Sequence, residues 1–301
     1  MPTQNGLDQL ISDLIQGRAK EYAGALQRFE AQKARQAKSN EALAKEQIKY
    51  LMSIGVKIND LKREQSKEAK PLEAYLAEVR PPFLSRPGAQ TADGKNRALL
   101  ATRFGAGTIA VPPYGAFAPP DQGSGGISSG WVFSDAGNLK IKAQSTGSGW
   151  TGFWEAIAAP PPIPHDVIFT FIPAETRSYN LNAVLAFHGF YVLKANSGFL
   201  EKAFAEVSID LQLGVHQYVD QWQSFPRPLD ANKSNTDEFD DYDRTLFFDS
   251  TAPLRQGDPV VVTVRVAVDA IANDSGSYAE INFADGTANY IQPLFLCVTP
   301  A

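Results

Sequence analysis

The chain has 301 residues, 44% apolar and 20% charged, with a net charge of −5. Composition of this kind excludes a chain disordered throughout, and the length exceeds the roughly 100–200 residues of one domain, so more than one part is expected. No run of about 18 apolar residues occurs, and Met1 to Gly6 has neither basic nor apolar leader character. The expectation is therefore no membrane span and no secretory signal, with cytoplasmic synthesis and release as part of a virion or similar assembly.

The charge is unevenly spread. Residues 1–80 hold 14 Lys and Arg against 11 Asp and Glu, a balance of +3, which leaves −8 for residues 81–301. Because the basic excess is mixed with acids along the segment, it predicts a solvated helix laced with ion pairs, and nucleic acid is not expected as a partner.

From Leu7 to Val79 the segment is dominated by Ala, Glu, Gln, Lys and Arg, good helix formers. Apolar residues recur at helical spacing in two blocks, Leu7 to Phe29 and Leu43 to Leu61. Gln32 to Glu41 carries no large apolar residue between them. Two architectures satisfy this pattern: a helical hairpin with Ser39 or Asn40 capping its second arm, or one helix with a polar waist. A heptad seam is not sustained, so the segment must pack on itself, on the rest of the chain, or on copies of itself.

Eleven of the 20 prolines fall in residues 81–164, and no long helix survives that density. Residues 81–127 read as a Pro/Gly-rich connector arm, apolar enough at Phe83, Leu99, Ile109, Val111 and Phe117 to lie against its own domain or a neighbour.

Period-two alternation then takes over. Val207, Ile209, Leu211, Leu213 and Val215 alternate with polar residues, and Val260, Val262, Val264, Val266 and Val268 repeat the pattern. Further strands are predicted around Val167–Phe171, Leu185–Leu193, Ile281–Phe283 and Leu294–Val298, with weaker ones near Gly130–Phe133, Leu139–Ala143 and Trp150–Ile157. Eight to ten strands over residues 128–301 predict an antiparallel β-sandwich of jelly-roll kind. The fold class is thus α+β: a helical stalk or hairpin over 1–80 for oligomerisation, an arm over 81–127, and a β-sandwich over 128–301.

A single cysteine, Cys297, excludes an intramolecular disulfide, and its apolar neighbours predict a buried, inert thiol. His165, His188 and His216 lack motif context, and no Gly-x-Ser-x-Gly, His-Glu-x-x-His or Walker-type sequence occurs, so no catalytic residue is assigned and no enzyme is expected. Oxygen-bearing residues Asp230, Asn232, Ser234, Glu238 and Asp241 fall at positions 1, 3, 5, 9 and 12 of a Ca²⁺-loop spacing, although Asn235 stands where glycine is expected. The plain alternative is a solvated acidic loop. Trp150, Trp154 and Trp222 are the candidate ligand-binding residues, as rings that could stack on sugars; filling the core is the plain alternative.

A helical stem, a Gly/Pro arm and a β-head together look like the layout of virion, tail-appendage and toxin subunits. The function this implies is a non-enzymatic structural or attachment subunit, a homo-oligomer that contacts other assembly proteins and needs no cofactor beyond the candidate Ca²⁺. A glycan-binding lectin-like or toxin module and a jelly-roll hydrolase are the alternatives.

Overall fold

The computed structural model describes residues 4–87, 108–119, 132–147, 161–195, 204–231, 235–273 and 276–301. Helix α1 spans Gln4–Ser53, α2 Ile58–Val79 and the short α3 Pro81–Leu84. At 1.5 Å per residue α1 is about 75 Å long. It runs straight through the polar stretch 32–41, so neither Ser39 nor Asn40 caps a helix there. Lys, Arg, Gln and Ala have high helix propensity without needing an apolar face, which carries the helix across this waist.

The break comes at Gly55 instead. Its φ of +88° is a conformation that a β-carbon disfavours. The Gly55 amide donates to the Met52 carbonyl at 3.1 Å and the Val56 amide to the Leu51 carbonyl at 2.9 Å, satisfying carbonyls that the end of α1 would leave open.

Among the described residues twelve strands follow, arranged in two six-stranded sheets. Sheet A contains β1 (Ile109–Val111), β4 (Lys142–Thr146), β6 (Tyr179–Lys194), β9 (Asn235–Asp249), β11 (Tyr278–Asn282) and β12 (Tyr290–Pro300). Sheet B runs β3 (Val132–Ser134), β2 (Gly115–Ala118), β5 (Ile163–Phe171), β10 (Val260–Ala272), β7 (Ala205–His216) and β8 (Gln221–Ala231). All the strand pairings are antiparallel. The sheets share one apolar core, with Val207, Ile209, Leu211, Leu213 and Val215 of β7 and alternate valines of β10 meeting Leu181, Leu185, Leu193, Ile281 and Leu296 of sheet A.

β11 and β12 pair in succession along the same side of β6, with residues 283–289 looping out between them opposite Gly189. A β-carbon on Gly189 would stand 2.3 Å from the Phe283 ring and 2.8 Å from the Asn282 carbonyl oxygen. Glycine is required there because the backbone closes directly over it.

Two parts of the chain differ from expectation. Within the segment read as a connector, β1 joins β12 and β2 joins β5. Residues 230–241, read as a loop, are strand on both sides of 232–234: Asp230 ends β8 in sheet B, whereas Glu238 and Asp241 belong to β9 in sheet A, paired with Phe190 and Phe187. Asn232 and Ser234 lie outside the described residues, as do Trp150, Trp154 and the strand expected near 150–157.

Candidate functional site

The two ends of the helical segment are seated on opposite outer faces of the β-domain. On sheet B, Ile11 of α1 packs against Phe117, Ile168 and Val261, with Leu7, Leu10, Leu14 and Ile15 alongside. These sheet residues alternate with core-facing neighbours, so β2, β5 and β10 are apolar on both faces where the helix covers them. On sheet A, Leu72, Tyr75, Leu76, Val79, Phe83 and Leu84 pack on Phe190, Val192 and Tyr278, and the Phe83 and Phe190 rings stack at 5.0 Å.

Each seat carries a charge cluster. At sheet B, Asp166 is fully buried and accepts from Arg265 Nε at 2.8 Å and Nη2 at 3.0 Å, the two residues being direct cross-strand partners. Arg18 of α1 brings its Nε to 3.6 Å from Asp166, donates to Glu21 at 2.7 Å, and lays its guanidinium 4.1 Å over the Trp222 ring. Burial would drive the Arg265 guanidinium down, but the carboxylates of Asp166, Glu21 and Asp210 reverse that and hold it above its ordinary value.

At sheet A the buried carboxylate is Glu280. It accepts from Arg80 at 3.0 Å, from Tyr278 Oη at 2.8 Å and from Asn282 Nδ2 at 2.8 Å. Burial first, then the neighbouring Glu280 charge, pushes the Tyr278 phenol well above its ordinary range. Arg86 donates to Asn289 Oδ1 at 2.8 Å and to the Gly189 carbonyl at 3.3 Å, tying the chain after α3 to the 283–289 excursion. Paired, hydrogen-bonded carboxylates of this kind fix register and orientation more than they add stability.

Between the two seats the helices project. At the distal end of α1, Tyr50, Met52 and Ile54 are 63, 62 and 58% exposed, and Leu43 is 42% exposed. Leu43, Tyr50 and Ile54 stand at i, i+7 and i+11, hence on one side of the helix. Ile48 and Leu51, on a neighbouring side, are only partly exposed.

No family model matches the chain, and no curated protein matches it. A solved structure described as TmCBM61 in complex with β-1,4-galactotriose aligns at a TM-score of 0.16 with 9% identity. The alignment covers 44% of this chain and 63% of that one, and at so low a score it carries no argument about fold or ligand.

Of the residues singled out as sugar-stacking candidates, Trp222 is described. Its indole lies against Gly214, where a β-carbon would stand 2.5 Å from the ring, while Arg18 covers the ring at 4.1 Å. The ring is thereby engaged in seating α1. Of the Ca²⁺ candidates, Asp230, Glu238 and Asp241 have a described backbone only. Among the described residues no group of three or more His, Cys, Asp or Glu converges to hold a metal ion. No helix among them is long and apolar enough to cross a membrane.

The charged pair Asp166–Arg265 was not singled out from sequence. A signal for it exists: Arg265 interrupts Val261, Thr263 and Ala267 on a strand face too apolar to meet water. His165, His188 and His216 are all buried. Burial pushes His165 down to about 4, so it stays neutral over the physiological range. Cys297 is likewise buried, its thiol pushed up to about 11 by desolvation, which makes it a poor nucleophile.

Proposed function

We propose that this chain is a non-enzymatic structural or attachment subunit of a larger assembly, with a jelly-roll-like β-sandwich as base and the helical hairpin as the arm that joins other copies. The observation that carries this reading is the contrast along α1. Its first turns are fastened to sheet B by apolar packing and ion pairs, whereas Leu43, Tyr50, Met52 and Ile54 at the far end project into solvent. A large apolar side chain contributes about 1.5–3 kcal/mol when fully buried, so a side carrying Leu43, Tyr50 and Ile54 is a strong driving force for packing against a second hairpin. Homo-oligomerisation, contact with further assembly proteins and a place in a virion or tail appendage belong to the same reading. A glycan-binding role is the alternative reading: Arg18 covers the Trp222 ring at 4.1 Å, but the residue keeps 37% of its surface exposed.

Tyr50→Asp with Ile54→Asp places two charges on the projecting side without touching either seat. Sedimentation equilibrium should show the wild-type chain as a concentration-dependent oligomer and the double variant as a monomer with an unchanged β-sheet spectrum. A wild-type chain that stays monomeric at every concentration overturns the reading, as does a double variant that keeps the wild-type mass.

A further inference from the structure

The cleft between α1 and sheet B, about 390 Å³, is lined by Asp13, Arg18 and Glu21 from the helix and by His216, Asp220 and Trp222 from the end of β7 and the residues after it. His216 is 1% exposed. Its Nδ1 lies 2.8 Å from Asp220 Oδ1, and since a carboxylate only accepts, Nδ1 carries the proton and donates it. Nε2 is left with a bare lone pair, shielded from solvent and without a hydrogen-bond partner. The Trp222 ring stands edge-on to the imidazole at 5.0 Å, and Arg18 lies over that same ring. The Arg18 part of the α1 seat is thus linked to the imidazole through the Trp222 ring.

We infer that His216 is a proton-operated release for α1: on acidification the imidazolium forms, and residues 7–21 leave the outer face of sheet B. The second N–H of the imidazolium would point where no acceptor exists, and burying an unsatisfied charged donor is strongly unfavourable. Lifting the helix restores water to it.

The groups facing His216 pull in both directions. Burial is the largest influence and disfavours the charged form; the Arg18 guanidinium of α1 acts the same way, while Asp220 and, from β5, Asp166 oppose them. Asp13 and Glu21 of α1 add negative charge at the cleft, and Arg265 of β10 neutralises Asp166. The outcome is a histidine held below its ordinary value near 6.5 while the helix is seated. Because the unseated state binds the proton more readily, seating is fully present above that range and weakens as pH falls through it. Histidine is the side-chain type whose ordinary charge change lies nearest neutral pH, which makes His216 the group in this cleft to test. Release frees the stripe Leu7, Leu10, Ile11, Leu14 and Ile15 for another surface. This device stands independently of the oligomeric reading.

Amide hydrogen exchange of the full chain, corrected for the intrinsic pH dependence, tests it at about pH 7.5 and about pH 5. Residues 7–21 of the wild type should exchange several-fold faster at the lower pH, while β10 stays protected. His216→Phe cannot take up the proton and should keep the segment protected at both. Asp220 stays beside His216 when α1 leaves, so Asp220→Asn lowers the proton affinity of the released state as well, and its transition should move to lower pH. A wild type with no acid-dependent opening overturns the inference. So does a His216→Phe protein that opens at the wild-type pH, because the carboxylates would then be responsible. If His216→Phe does not fold, Asp220→Asn decides, and a transition that stays in place or moves to higher pH counts against the release.

Discussion

Arg265→Met should destabilise the β-domain by about 3 kcal/mol, the low end of the 3–5 kcal/mol lost when one partner of a buried ion pair is removed. Asp166 has no exposed surface and takes two hydrogen bonds from Arg265, so methionine leaves a buried carboxylate with only Arg18 nearby, at 3.6 Å. That residual contact is the reason for choosing the low end. Adding Asp166→Leu removes the stranded charge and should bring stability back close to wild type, since an apolar pair of similar volume commonly replaces a buried ion pair without loss. Urea midpoints for the two single variants and the double variant give the coupling directly. A double variant as unstable as the single ones would mean that the pair is not acting as an isolated unit.

Gly286→Ala is expected to have the second large effect, because two penalties coincide there. Its φ of +81° costs a non-glycine residue about 1–2 kcal/mol, and the new β-carbon would stand 2.7 Å from the Leu84 carbonyl oxygen and 3.2 Å from its Cα. A backbone obstacle cannot swing aside as a side chain does. Residues 80–86 must therefore lift, weakening the Phe83–Phe190 stack and the Arg80–Glu280 pair. Gly55→Ala is the matched control: φ is +88° but nothing lies within 4 Å, so it carries the conformational penalty alone. Chymotrypsin should cut after Phe83 several-fold faster in Gly286→Ala than in wild type or Gly55→Ala. Equal rates in all three would show that the 283–289 excursion does not hold the α3 segment.

The central strands were legible because their alternation is set by a core on one side. Val207 to Val215 and the even-numbered valines of β10 point inward as their pattern predicts. The same logic failed where a second layer covers the outer face. His216 falls among polar alternates on β7 and reads as surface, but α1 and Trp222 bury it. Val261 likewise looks redundant until Ile11 is found upon it. β8 was obscured by Pro226 and Pro228, which an edge strand tolerates because one side of its backbone needs no partner. β9 was obscured by its acidic first half, whose charges also suit an edge that must not pair with other chains. The end of α1 was missed because propensity runs unbroken through residues 32–41, while the signal that stops the helix is one glycine.

With both ends of the helical segment seated on buried carboxylates, removing residues 1–80 would expose Phe117, Ile168, Val261, Phe190 and Val192 and strand part of each charge cluster. At neutral pH, where α1 stays seated, the β-domain and the helical seats are accordingly one cooperative unit. Thermal unfolding followed by helix ellipticity and by near-ultraviolet aromatic signals, with calorimetry alongside, tests this most directly. Coincident transitions and a calorimetric enthalpy equal to the van't Hoff value are expected. Loss of the helical signal well below the temperature at which the β-domain unfolds would contradict it, by showing that the arm rests on the domain without being part of its fold.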